Sequence, residues 1–279
     1  MEQVINDIRE LHAQHKHVVR AMIRGINSVY ALARRFFGYQ TMLPKKERDE
    51  ISTLARKSVD RLLAGKVLPA KAVEMDFALV LGSTIVIDQR ARTPYEERKV
   101  DLEKLISKRV KQLPIWDFWA KSVKGLGPKG LGAIIGECGN LSNYDGPAKL
   151  WKRMGLAPLE CYRDITNEGK VCYKVPRERR SLMWNRGQPL IKAVDEYYNI
   201  YLDRKAVEAE KALAEGFTIV TTMEETVNSW QEKGLPTPLF DKKFDKTSCR
   251  TCSHITKRAQ RFMEKRFLRD LWVAWRDCN

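Results

Sequence analysis

Between Val123 and Gly136 the chain reads VKGLGPKGLGAIIG, residue types whose spacing suits the capture of an anion. Gly125 and Gly127 allow a tight turn whose amides approach a ligand with no Cβ in the way. Pro128 fits the first turn of a helix, where its fixed φ is suitable and its missing N–H is no loss. The free N–H groups of the turn and the positive end of the following helix would then form an anion site. Lys124 and Lys129 flank that site with charge, and Gly130 extends the glycine-rich run. Leu126 should turn back between two helices, with Leu131, Ile134, Ile135 and Cys138 as a packing face. Gly132 and Gly136, four apart, suit a close crossing of those helices. This is the pattern of a helix-hairpin-helix, whose contacts go to phosphates and specify no base sequence. The same glycines would also serve a plain joint between two helices. A dinucleotide loop is excluded because it must follow a strand, whereas LPIWDFWAKSVK, with Pro114 and two tryptophans at helical spacing, reads as a helix.

A second basic feature lies in a helix expected over about Ile255–Arg276. At helical spacing Arg258, Arg261, Lys265, Arg269 and Arg276 share a sector of about 80°, with Met263, Phe267, Leu271 and Ala274 opposite. Lys257 adds to the ridge, and arginine and lysine outnumber glutamate and aspartate throughout it. Such a helix can bury its apolar side and turn cations outward for phosphate contact, although a plain solvated face has the same pattern. Trp272 and Trp275 read as packing anchors.

Metal chemistry has fewer signals. Cys249 and Cys252 form a CxxC pair with His254 close by, and zinc needs four such ligands. Cys138, Cys161, Cys172 and Cys278 do not present an evident second half, so reduced cysteines in a loop are the plainer reading. His12, His15 and His17 lack the i, i+4 spacing of a metalloprotease and are expected on a polar face. Glu74, Asp76, Asp88, Glu137 and Asp164 could serve Mg²⁺-dependent strand cleavage only if they converge.

These residues need a scaffold, and the pattern around them is helical. Residues 1 to about 66 carry an apolar stripe at helical spacing, broken near Gly38 and Pro44, with a second helix from about Lys46 to Leu63. Residues 70–112 are expected to be helical, including the β-branched stretch 77–88. PAKLWKRM forms a short helix capped by Asp145 and ended by Gly155. Residues 156–180 are irregular, with a β-ribbon about Asn167–Gly169. A long helix follows from about Pro189 to Ala214, then an exposed linker through Gly234–Pro238 and DKKFDK. The expected fold is mainly α: a helical N-terminal bundle or hairpin over 1–112, then a helix-hairpin-helix domain over 113–279 with an insertion at about 160–250.

The 279 residues carry a net charge of +16, which favours a polyanionic partner. No run of about 18 apolar residues offers a membrane span, and the charged start does not read as a signal peptide, so the chain is expected in the cytoplasm. Long amphipathic N-terminal helices could also pair with a second copy.

Two blocks, VKGLGPKGLGAIIGECGNLSNYDGPAKLWKRMGLAP (Val123–Pro158) and HITKRAQRFMEKRFLRDLW (His254–Trp272), resemble the C-terminal domain of the bridge-RNA-guided insertion-sequence transposases. That domain runs from a helix-hairpin-helix through a GLAP-type turn to a basic ITKRGN-type helix, and the resemblance implies a DNA-binding role. The family also has a RuvC-like nuclease domain built on a sheet, and a nucleophilic serine soon after the GLAP turn. Here the N-terminal half reads as helical, and Leu159–Lys174 contains no serine. Ser248 and Ser253 precede the basic helix, and Ala259 and Gln260 stand where the family has glycine and asparagine. The resemblance therefore implies a relative that kept the nucleic-acid-binding parts without the recombinase machinery. The leading expectation is a non-catalytic binder of duplex DNA or structured RNA, needing no cofactor. A strand-cleaving enzyme, and a protein that docks on an acidic protein surface, are the alternatives.

Overall fold

A computed structural model describes residues 1–157, 163–165, 171–173, 175–245 and 247–278. The chain is mainly helical and divides into two units, Leu11–Leu105 and Met1–Glu10 with Ile106–Asn279. The divisions fall inside two long helices, α1 (Glu2–Phe36) and α4 (Phe77–Val110).

In the Leu11–Leu105 unit, α1 and α4 are joined by α2 (Lys45–Leu63) and the short α3 (Ala70–Glu74). Val29, Ala33, Phe37, Ala55, Val59, Ala72, Phe77, Leu81 and Ile85 form one core. The ring of Phe37 stacks on Phe77 at 5.3 Å, and Phe36 meets Phe77 edge-on at 5.4 Å. The stretch 77–88 is helical because Phe77, Leu81 and Ile85 recur every four residues and seal one side. Its other side keeps Leu79, Val80 and Ile87 exposed, so this unit presents apolar surface. One histidine departs from the expected polar face: His12 is buried, stacked on His15, whose Nε2 lies 3.4 Å from the Glu103 carboxylate. Glu103 is far along the chain on α4, so the spacing of the histidines gives no sign of this placement.

The second unit is organised about α10 (Cys252–Asp277), whose Ile255, Ala259, Met263, Phe267, Leu271 and Trp275 are all buried. Before it come a five-residue π-helix (Trp116–Ala120), α5 (Gly127–Cys138) and α6 (Pro147–Arg153). Strands β1 (Arg163–Ile165) and β2 (Val171–Tyr173) pair antiparallel as the expected ribbon. Its anticipated turn at Asn167–Gly169 lies outside the described residues. Helices α7 (Arg177–Lys192) and α8 (Glu196–Ala214) follow, then β3 (Thr218–Thr221), α9 (Glu224–Gln231), β4 (Leu239–Phe240) and β5 (Cys249–Thr251).

Three local expectations are corrected. The single helix from Pro189 is two helices, because Pro189 lies inside α7 and the break comes later, where Val194 adopts φ +50° and Asp195 is extended. Asp145 does not cap α6; Gly146 holds that position, and the Asp145 carboxylate is bonded to Lys149. The segment about Gly234–Pro238 is not all exposed linker. Leu235 is buried, and β4 joins a parallel sheet in the order β4-β3-β5, with Val220 opposite Leu239. That sheet closes a small core of Ala209, Ile219, Trp230, Leu235, Cys252 and Ile255. Lys205 lies against it, its ammonium 4.3 Å from the Trp230 ring and its pKa pushed down to about 8 by burial.

Candidate functional site

The turn predicted at 124–127 is present, and its glycines have different work. Gly125 has φ +88°, and a Cβ there would lie 2.4 Å from the Pro189 carbonyl oxygen and 2.9 Å from the Leu190 nitrogen. It is the place where the turn touches the backbone of α7. Gly127 has φ +53°, and no atom lies within 4 Å of where its Cβ would stand, so it faces open space at the start of α5. Leu126 is buried as expected, and α5 begins with Pro128 in its first turn and no side-chain cap. Its leading N–H groups thus have no side-chain acceptor at the cap.

The packing partner of α5 differs from expectation. A Cβ on Gly132 would lie 2.3 Å from Ile106 Cγ2 and 3.1 Å from Val110 Cγ2. The close crossing is therefore with the end of α4, and the element before the turn is only a short π-helix. Along its length α5 runs antiparallel to α7: Gly130 sits beside the Arg186 side chain, while Glu137 accepts from Arg179 Nε at 2.9 Å. Glu137 is thus occupied as an ion-pair partner, and Asp88 likewise binds Arg92 at 2.7 Å. The Asp164 side chain lies outside the described residues.

Of the turn's lysines, Lys124 stands 3.6 Å from the Asp195 carboxylate, both groups well exposed. Lys129 is exposed on the first turn of α5. A small cleft of about 70 Å³ opens beside Lys124, lined by Trp119, Ser122, Asp195 and Tyr197 among others.

The basic ridge of α10 is present but unequal in its parts. Arg258 donates from Nε to the buried Glu208 carboxylate at 2.6 Å, and Arg269 is bonded to Asp270 at 2.7 Å. Both are tied into the protein. Lys257 is exposed, and Lys265 lies over the Trp151 ring at 5.4 Å while Trp151 Nε1 donates to its carbonyl at 2.9 Å. Arg261 is the half-buried centre of the ridge. Burial, then Arg180 and Arg258, hold its guanidinium below the ordinary range against the pull of Glu264, and Lys265 is lowered by burial and then by Arg261. His254, although exposed, is lowered by partial desolvation and then by Arg258, Arg250 and Arg261. Cations have been gathered here against their mutual repulsion, an arrangement that an incoming anion would relieve.

Arg180, on the first turns of α7, is the residue that sequence reasoning missed. Spacing alone places it in irregular chain, which gives no reason for it to approach α10. It is held there by Gly155 at the end of α6, where a Cβ would lie 2.9 Å from the Pro176 carbonyl and 3.1 Å from Arg180 Cβ. Behind the arginines, α7 and α10 cross at Gly187. Gln260 Nε2 donates to the Trp184 carbonyl at 3.0 Å and to Glu264 Oε1 at 2.8 Å, while Gln188 donates to Gln260 Oε1 at 2.7 Å. Gly187 is required by that network, since a Cβ would come within 2.8 Å of both side chains.

The proposed zinc ligands are not brought together. Cys252 is buried in the small core, His254 is exposed on the helix that Cys252 starts, and Cys249 is in β5. Among the described residues no group of three or more metal-ligating side chains is found. Ser248 donates to Asp245 at 3.1 Å within its loop, and Ser253 is exposed on α10. Among the described residues no helix is long and apolar enough to cross a membrane. No family model matches the chain, and neither does any curated protein or solved structure.

Proposed function

We propose that this protein binds nucleic acid, duplex DNA before structured RNA, by its phosphate backbone and without reading base sequence. The observation that carries this reading is the approach of the exposed Arg180 of α7 to the half-buried Arg261 of α10, with the half-buried Lys265 beside Arg261. The turn at Gly125–Lys129, with an uncapped helix start and two lysines, supplies a second phosphate contact, and α7 carries both ends of the surface: Pro189 touches the turn and Arg180 the ridge. The net charge of +16 supports the same partner. So does the resemblance of Val123–Pro158 and His254–Trp272 to the C-terminal domain of the bridge-RNA-guided transposases. The reading requires no cofactor. Its test is competition between labelled duplexes of unrelated sequence: their affinities should agree within about threefold, as backbone contacts demand. A large preference for one sequence, or no binding to any, overturns it.

Asp195 opposes the turn's role, because its carboxylate partly cancels Lys124. Asp195→Asn is expected to raise duplex affinity about two- to threefold at low salt, and the gain should fade as salt is added, as for any exposed pair. An equilibrium titration of the two proteins at two salt concentrations checks this.

A further inference from the structure

The crossing of α7 and α10 contains a carboxyl group that the proposed binding does not use. Glu264 is 3% exposed and lies one helical turn from Gln260, which holds its Oε1 at 2.8 Å. Gln260 is itself fixed by Gln188 and by the Trp184 carbonyl, so the carboxyl group cannot swing out to water without breaking a chain of hydrogen bonds. The charged groups that face it are Arg261 of its own helix and Arg180 of α7, the two arginines at the centre of the basic cluster. Gly187 provides the space that lets α7 come this close.

We infer that Glu264 is a proton-operated control on this cluster: protonated, it leaves Arg180 and Arg261 free for a polyanion, and ionised, it competes for them from behind. The inference rests on the proposed phosphate-binding surface. Its physical basis is a competition for the same two guanidinium groups. Burial is the main influence on Glu264 and disfavours the ionised form, raising its pKa to about 7; Gln260 and the two arginines pull the other way without overcoming it. A polyanion on the arginines would withdraw their support for the carboxylate and raise the pKa further. By linkage, binding must then take up a proton and weaken as pH rises through 7. His254, near Arg258 and Arg261, is lowered below the ordinary histidine range and would titrate at more acid pH.

The test compares wild type, Glu264→Gln and His254→Gln, each titrated with a labelled duplex and separately with heparin, at about pH 6.5 and about pH 8.5 and constant ionic strength. A one-unit rise in the Glu264 pKa on binding corresponds to about sixfold weaker binding at the higher of these two pH values, approaching tenfold at still higher pH. Wild type and His254→Gln should show that loss with both polyanions. Glu264→Gln keeps an oxygen to accept from Gln260 and should bind equally well at both pH values, near the wild-type acid limit. A pH-independent wild type, or a Glu264→Gln protein that keeps the loss, overturns the inference. Heparin separates the two claims: a pH response on heparin without duplex binding upholds the control and sinks the nucleic-acid reading, and failure to bind either sinks both. Thermal unfolding checks the fold of the variant. The folded state prefers protonated Glu264, so wild-type stability should fall relative to Glu264→Gln as pH rises from the ordinary carboxylate range to about 7 and run parallel above it.

Discussion

Replacing Arg180 and Arg261 together by glutamine is expected to weaken duplex binding by one to two orders of magnitude at roughly 0.1 M salt, and to reduce the salt slope by about two. Fluorescence anisotropy across a salt series reads both quantities. The two arginines approach each other from α7 and α10 as like charges, so their loss removes a repulsion. Their loss should therefore leave the unfolding temperature within a few degrees of wild type. Arg258 is a useful contrast, since it reaches the buried Glu208 carboxylate. Removing it disturbs an internal ion pair, so Arg258→Gln should lose stability as well as affinity. If the double variant binds as wild type does, the cluster is not the contact surface.

The second large effect belongs to the turn. Gly125→Ala should destabilise the fold by on the order of 3–5 kcal/mol, because the methyl group meets the Pro189 carbonyl at 2.4 Å with the backbone already at φ +88°. For a unit of this size that lowers the unfolding temperature by roughly 10 °C. Gly127→Ala carries only the conformational cost of φ +53°, about 1 kcal/mol, since no atom lies near the new methyl group. Thermal melts of the two variants decide whether the glycines differ as the packing requires. Equal losses would mean that Gly125 does not depend on its approach to α7.

Local chemistry is well represented in the sequence, and long-range partnership is not. The start of α5 at Gly127–Pro128, the inward Leu126 and the apolar face of α10 follow from spacing alone. Gly187 and Pro189 mislead because both are weak helix formers and suggest a boundary. In the fold, Gly187 is the crossing point with Gln260 and Glu264, and Pro189 sits at the contact with Gly125, so tertiary packing outweighs propensity. The ridge of α10 is legible as five aligned cations. Which of them are already engaged depends on Glu208, on another helix, and on how Asp270 turns toward Arg269. Among the described residues the zinc ligands are not gathered, for a geometric reason: on a helix Cys252 and His254 point about 160° apart, one to the core and one to solvent. Strand β3 has the β-branched run TIVT, but β4 and β5 are two and three residues long and leave no periodicity to read.

Phosphate contacts at the α7–α10 cluster and the Gly125–Lys129 turn are what should hold a nucleic acid on this protein. The most direct test is the dependence of duplex affinity on salt for the wild-type protein. With about four to six phosphates neutralised, log K should fall linearly with log salt with a slope of about −4 to −5. A slope near zero, or no binding at roughly 50 mM salt, would contradict it.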